Sequence, residues 1–163
     1  MVDVTEISAV VAAAGVLVGV AYYLLDMKNQ TRLWQTDLVM RLYSVFATEE
    51  FQKEMLTLMT DTEIKDYNTF KKKYGVNAPP TGLFFHEVGI LLSRKLADIG
   101  LISRLFGPTV IKYWENTLPM IEDARRQLNS AWLGGFESLY NELKKSADER
   151  AKRREQQRAS RTA

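Results

Sequence analysis

Polar and apolar residues are distributed most unevenly near the start of the chain. Residues 7–25 form a run of nineteen positions without a charge or a proline. As a helix, this run is about 28 Å long at about 1.5 Å per residue, close to the roughly 30 Å hydrocarbon core of a bilayer. The pattern therefore predicts one transmembrane helix.

Two other interpretations of residues 7–25 fit the pattern less well. A cleavable signal peptide has a basic segment before a shorter apolar core, whereas Asp3 and Glu6 precede this run and Tyr22 and Tyr23 lie near its end. A core helix that is apolar on every side needs a large core around it. We therefore expect an uncleaved anchor.

Charges flanking the predicted span indicate its orientation. Only acids precede the span, whereas Lys28, Arg32 and Arg41 follow it. The positive-inside tendency then places the N-terminus outside the cell membrane and the rest of the chain in the cytoplasm. Tyr22 and Tyr23 lie at the inner end, where aromatic rings anchor a helix at the depth of the lipid headgroups.

Apolar residues at three- and four-residue spacings predict further helices. Residues 29–46 contain no helix breaker and either continue the membrane helix or closely follow it. Thr48 is the expected N-cap of the next helix, because its hydroxyl can accept a backbone hydrogen bond. Asp61 or Thr62 is expected to begin a short helix that ends at Gly75.

The strongest amphipathic pattern follows the two prolines at 79–80. It covers residues 84–99, and Gly100 is expected to end this helix. Pro108 then begins a helix that Pro119 should bend. Because no sustained alternation of apolar and polar residues occurs, we predict no sheet. The predicted fold is all-α, with an N-terminal transmembrane helix, an irregular cytoplasmic helical bundle and a basic helical or disordered tail.

Composition supports one domain beyond the span. The chain has 163 residues, of which 46% are hydrophobic and 26% charged, as in a globular protein. We divide it into an anchor (1–28), a helical domain (29–143) and a basic tail (144–163). The absence of cysteine excludes disulfides, thiolate metal sites and cysteine nucleophiles.

The tail makes the charge distribution asymmetric. The net charge is +2, but residues 144–163 contain eight bases and only three acids. A basic helix beneath a membrane can contact anionic lipid headgroups, although a merely solvated helix also fits this pattern. Nucleic acid is a less favoured partner, because no aromatic residue lies among these bases.

Small residues recur along one face of the predicted span. Ser8, Ala12, Gly15 and Gly19 would allow another helix to approach the backbone closely. This face predicts a homodimer or a contact with another membrane subunit. Small residues are also common in spans for compositional reasons, and that alternative stays open.

The chain contains one histidine, which limits the chemistry that we can predict. His86-Glu87 begins like a zinc peptidase motif, but the second histidine of that motif would occupy position 90, which is Ile90. No phosphate-binding glycine loop is present either. We therefore predict no metal, no cofactor and no catalytic residue.

Two functional hypotheses follow. In the first, the chain is a membrane-anchored interaction module or an accessory subunit of a membrane-associated complex. In the second, it is an enzyme or a binder of a small ligand, with a pocket between bundle helices near His86, Glu87, Tyr113 and Glu115. Polar groups that converge in a deep pocket would favour the second hypothesis.

A series of short motifs follows the predicted span in a characteristic order. They are Phe84-Phe85-His86-Glu87-Val88-Gly89, Gly100-Leu101-Ile102, Phe106-Gly107, Tyr113-Trp114-Glu115, Pro119-Met120-Ile121 and Phe136-Glu137-Ser138-Leu139-Tyr140. In this order the chain resembles an uncharacterised prokaryotic family of small, single-pass membrane-anchored helical proteins, known as a domain of unknown function. The resemblance implies a membrane anchor with a helical cytoplasmic domain, and it implies no activity.

Overall fold

The helical patterns in the sequence correspond to an all-α fold. The structure, a computed structural model, describes the backbone of residues 4–162 and the side chains of residue 19 and residues 22–160. This part of the chain contains no strand. Its helices are α1 (Val4–Phe46), α2 (Glu49–Thr60), α3 (Tyr67–Tyr74), α4 (Pro80–Ser93), α5 (Ile99–Leu105), α6 (Gly107–Gln127) and α7 (Gly134–Thr162).

Contacts divide the chain into two units, Met1–Asp37 and Leu38–Ala163. The first unit contains the larger part of α1. The second contains the end of α1 together with α2 to α7. The helix predicted over residues 29–46 is confirmed as an uninterrupted part of α1.

Two predicted helix ends are confirmed by their backbone geometry. Thr48 is the N-cap of α2, and its hydroxyl oxygen accepts a hydrogen bond from the backbone N–H of Phe51 at 3.4 Å. Gly75 ends α3 in the left-handed conformation, with φ of 69°. Glycine adopts this conformation without the steric cost of a Cβ, and the hydroxyl of threonine can accept a hydrogen bond from a free backbone N–H. These two helix ends can therefore be recognised from residue type.

The predicted start of α3 is wrong. This helix begins at Tyr67, and its N-cap is Asp66, whose Oδ1 accepts a hydrogen bond from the backbone N–H of Thr69 at 2.8 Å. Asp61 instead ends α2, and its carboxylate accepts a hydrogen bond from the hydroxyl of Tyr74 at 2.8 Å. Several acids in this stretch could cap a helix by residue type, and residue type alone does not choose between them.

The helix predicted over residues 84–99 is wrong at its C-terminal end, because α4 already ends at Ser93. Lys95 has a φ of 57°, which is outside the helical range. Asp98 then caps α5, and its Oδ1 accepts a hydrogen bond from the backbone N–H of Leu101 at 2.7 Å. The apolar spacing continues across the break because α5 packs against the same core.

The last two long helices correspond to their sequence signals in part. Pro108 is the second residue of α6, as expected for a proline in a first helical turn. Pro119 lies inside α6, and the bend that we expected there stays a prediction. The basic tail is helical as far as Thr162, since α7 continues through it from the buried residues near its start.

The core of the second unit is centred on the crossing of α4 and α7. These helices approach so closely that a Cβ built on Gly89 would overlap the backbone carbonyl of Gly135. Aromatic rings fill the space beside this crossing. The ring centroids of Phe85 and Phe136 are 5.3 Å apart, and those of Phe136 and Trp114 are 4.8 Å apart. The two glycines therefore allow the rings of facing helices to pack directly.

Candidate functional site

The described part of α1 begins with large apolar side chains that are exposed to solvent. Tyr22, Tyr23, Leu24 and Leu25 are 73%, 62%, 60% and 62% exposed. Successive helical residues differ in direction by about 100°, so four of them point to nearly all sides of the helix. This turn of α1 is therefore apolar and exposed around its whole circumference.

Basic side chains follow this apolar turn. Lys28 and Arg32, predicted to lie at a membrane interface, are both exposed. Their four-residue spacing places them on one face of α1. Trp34 is also exposed. The order along this part of α1 is therefore two tyrosines, two leucines, Asp26 and then the bases Lys28 and Arg32.

The predicted helix-packing face lies mostly beyond what the structure describes. The side chains of Ser8 and Ala12 and the surroundings of Gly15 lie outside what the structure describes, as do the side chains of most of the predicted span. Gly19 is exposed, and a Cβ built on it would have no neighbour within 4 Å. Among the helices that the structure describes, none has an apolar stretch long enough to cross a membrane. The transmembrane helix stays a prediction.

His86 interacts with the first turn of α7. Its Nδ1 accepts a hydrogen bond of 2.9 Å from the backbone N–H of Gly135. This N–H belongs to the first turn of α7 and has no acceptor within its own helix. The interaction is possible because Gly135 lies against the backbone of His86. The imidazole thus stabilises the crossing of α4 and α7.

Tyr113 belongs to a buried hydrogen-bond network at the start of α4. Its hydroxyl lies 2.7 Å from the hydroxyl of Thr81, which is itself buried. Glu54 of α2 accepts hydrogen bonds from the backbone N–H and the hydroxyl of Thr81 at 3.2 and 3.3 Å. Burial raises the pKa of Tyr113, because the phenolate would be poorly solvated there. The phenol therefore remains protonated and holds Thr81 in place.

Glu115 connects α6 with α7 at the surface. Its Oε1 accepts hydrogen bonds from Lys144 at 3.1 Å and from the hydroxyl of Tyr140 at 3.2 Å. The Lys144 ammonium and the Tyr140 hydroxyl hold the pKa of this carboxyl below its usual value. Glu87 is exposed on α4. Within the described part of the chain, no hydrogen bond joins any two of His86, Glu87, Tyr113 and Glu115.

The four residues proposed for a pocket thus take part in different local contacts. His86 caps a helix, Tyr113 fixes the start of α4, Glu115 pairs with a surface lysine, and Glu87 is exposed. A ligand pocket formed by these residues stays a prediction without support from their contacts. Among the described residues, no group of three or more His, Cys, Asp or Glu side chains could hold a metal ion.

Sequence reasoning missed a basic cavity between α5 and α7. The cavity has a volume of about 400 Å³ and receives the side chains of Arg104, Arg150 and Arg154. The four-residue spacing of Arg150 and Arg154 indicates a shared helical face. The approach of Arg104 depends on how α5 packs against α7, and no sequence signal predicts it.

Comparisons of the chain with models of protein families, with curated proteins and with solved structures found no match. The resemblance of its motif order to an uncharacterised membrane-anchored family therefore stays a prediction.

Proposed function

We propose that the chain is a single-pass membrane protein that acts as an interaction module or accessory subunit of a membrane-associated complex, without catalysis of its own. In this proposal, residues 7–25 cross the cell membrane and the helical domain is cytoplasmic. The proposal rests on the exposed apolar turn from Tyr22 to Leu25. Large apolar side chains on all sides of one helix are costly in water, and lipid or another protein removes that cost.

Lipid is the better of these two environments for the start of α1. The apolar turn continues an uncharged run whose length matches a bilayer core, and basic residues begin one turn beyond it. A soluble partner would need to enclose a helix that is apolar around its whole circumference. A bilayer encloses such a helix without any specific contact.

Membrane anchoring is tested by extraction of isolated membranes with alkaline carbonate. We expect the full-length chain to stay in the membrane pellet and to require detergent for release. A variant with Leu17→Arg and Val20→Arg should enter the soluble or aggregated fraction, since each central arginine costs about 2.5–3.5 kcal/mol on insertion. Leu17→Ile with Val20→Leu is the matched control. Release of the unmodified chain by carbonate would contradict the anchor.

Orientation is tested by labelling single cysteines, because the natural chain has none. We expect Asp3→Cys to react with a membrane-impermeant maleimide in intact cells. Glu149→Cys, at an exposed position of α7, should react only after the membrane is permeabilised. The opposite pattern would reverse the proposed orientation.

The accessory role is tested through the small-residue face of the span. Disulfide crosslinking of Ser8→Cys in native membranes should produce a dimer, and adding Gly15→Leu with Gly19→Leu should abolish it, because leucine prevents close approach of two backbones. Leucine substitution at Val16 and Val20, on another face, is the control. Unchanged crosslinking in the glycine variant would exclude a dimer through this face. A subunit that co-purifies in detergent and is lost from the same variant would instead identify a heteromeric contact.

A further inference from the structure

The cavity between α5 and α7 is basic and lies within the second unit. Arg104 reaches it from α5, and Arg150 and Arg154 reach it from α7. Ala147 and Ala151 lie on the same face of α7 and also line the cavity. Their small side chains leave the space that the arginines surround.

Among the described residues, no carboxylate forms an ion pair with Arg104, Arg150 or Arg154. Arg150 donates hydrogen bonds to the hydroxyl of Ser103 and to the backbone carbonyl of Ser146, which are both neutral acceptors. These contacts orient the guanidinium group and leave its charge uncompensated.

The three positive charges repel one another, and a bound anion would offset that repulsion. Like charges four residues apart on a helix repel each other, as Arg150 and Arg154 do, and Arg104 adds a third positive charge from the facing helix. The N-terminal end of α6 adds to the positive potential of the cavity, because Pro108 lines the cavity and α6 has no side-chain N-cap. The N-terminal end of a helix carries a partial positive charge that attracts anions.

We propose that this cavity binds the phosphate group of a phosphomonoester. A phosphate dianion accepts several hydrogen bonds, and arginine can donate two parallel ones to it. The volume of about 400 Å³ lies in the range of small-ligand sites, about 300–1,000 Å³, so an organic group fits beside the phosphate. The phosphate belongs to a soluble metabolite or to a lipid headgroup. Binding itself does not depend on the proposed membrane anchor.

The proposal is tested with glycerol 3-phosphate and with inorganic phosphate, by isothermal titration of the full-length chain in a nonionic detergent. We expect saturable binding that weakens at least about tenfold in the double variant Arg104→Gln, Arg154→Gln, because two charge-assisted contacts are lost. Both residues are exposed, and among the described residues neither side chain forms a hydrogen bond or an ion pair, so the fold should be retained. Retention is checked by circular dichroism.

The matched control is Arg153→Gln combined with Lys152→Gln, which removes the same charge from α7 outside the cavity. We expect its affinity to change by less than about twofold. Equal weakening in the two double variants would mean that the ligands respond only to overall charge, and the cavity would be excluded. The absence of saturable binding to both ligands would also overturn the proposal.

A second arm identifies the source of the phosphate. The full-length chain is placed in nanodiscs of phosphatidylcholine containing either phosphatidic acid or phosphatidylglycerol, with the content adjusted to equal surface charge. If a lipid headgroup occupies the cavity, phosphatidic acid should abolish glycerol 3-phosphate binding and phosphatidylglycerol should not. Equal binding in both discs would assign the cavity to a soluble phosphomonoester.

Discussion

Replacing Gly89 with alanine places a methyl group at the closest approach of α4 and α7. The added Cβ would overlap the backbone carbonyl of Gly135 and would lie 3.2 Å from its Cα. All these obstacles are backbone atoms, which cannot rotate away as a side chain can. The helices must therefore move apart for Gly89→Ala to fold.

The expected change in the free energy of unfolding is the balance between a packing cost and a gain in helix propensity. Ordinary contact begins at 3.4 Å, so the backbones must separate by more than about 1 Å in a close-packed core. Overpacking of this kind typically costs about 1–3 kcal/mol, and backbone obstacles favour the upper end. Separation also weakens the ring contact of Phe85 with Phe136 and the hydrogen bond from Gly135 to His86. Alanine regains about 1 kcal/mol in helix propensity. The expected net loss is about 2 kcal/mol.

Thermal unfolding of the full-length chain in a nonionic detergent measures this loss. Near-UV circular dichroism reports on the second unit, because the buried ring of Trp114 contacts Phe136. At roughly 4 °C for each kcal/mol in a domain of this size, Gly89→Ala should lower the Tm by about 8 °C.

Gly134→Ala is the matched control. It makes the same substitution next to the crossing, where a Cβ would have no neighbour within 4 Å. Its Tm should remain within about 2 °C of the natural chain. If the Tm of Gly89→Ala equals that of Gly134→Ala, the close contact of α4 and α7 is refuted.

Two further predictions concern polar contacts. The backbone N–H of Tyr67 donates to the carboxylate of Asp123 at 3.0 Å and holds its pKa below the ordinary value of 3.8. This contribution to stability is present above the ordinary pKa and is lost as the pH falls through the lowered one. In thermal melts between about pH 6 and pH 3, the Tm of Asp123→Asn should therefore fall less than the Tm of the natural chain. The Tm of Glu122→Gln should fall as much as that of the natural chain. An equal fall of Tm in all three proteins would contradict the assignment. Tyr113→Phe should lower the free energy of unfolding by about 1 kcal/mol, because the buried hydroxyl of Thr81 loses a partner, and an unchanged denaturant midpoint would show that this hydrogen bond contributes nothing.

Local chemistry determined much of the helical architecture. Thr48, Gly75 and Pro108 mark helix ends because a hydroxyl cap, a left-handed glycine and a proline in a first turn act within one or two helical turns. The all-α fold follows from the three- and four-residue spacing of apolar positions, which sequence alone displays. The charge and apolar pattern of residues 7–25 likewise requires no tertiary information.

Local rules failed where several neighbouring residues offered equivalent signals for a helix end. Residues 84–99 keep an uninterrupted apolar spacing, yet α4 ends at Ser93, Lys95 has a φ of 57°, and Asp98 caps a new helix that packs on the same core. Asp61 is an acceptable N-cap by residue type, but its backbone N–H donates to the carbonyl of Thr57 and it ends α2 instead.

In the candidate sites, too, some features follow from the sequence and others are decided only by the tertiary structure. From the sequence, His86 was open to a ligand-binding role, whereas the crossing of α4 and α7 makes it a cap for Gly135. Arg104 lies 46 positions before Arg150, and only the packing of α5 against α7 brings both to one cavity. Sequence determines what depends on neighbours along the chain, because propensity and periodicity act over a few residues. Tertiary structure decides which side chains from separate helices share a space, because that depends on how whole helices pack.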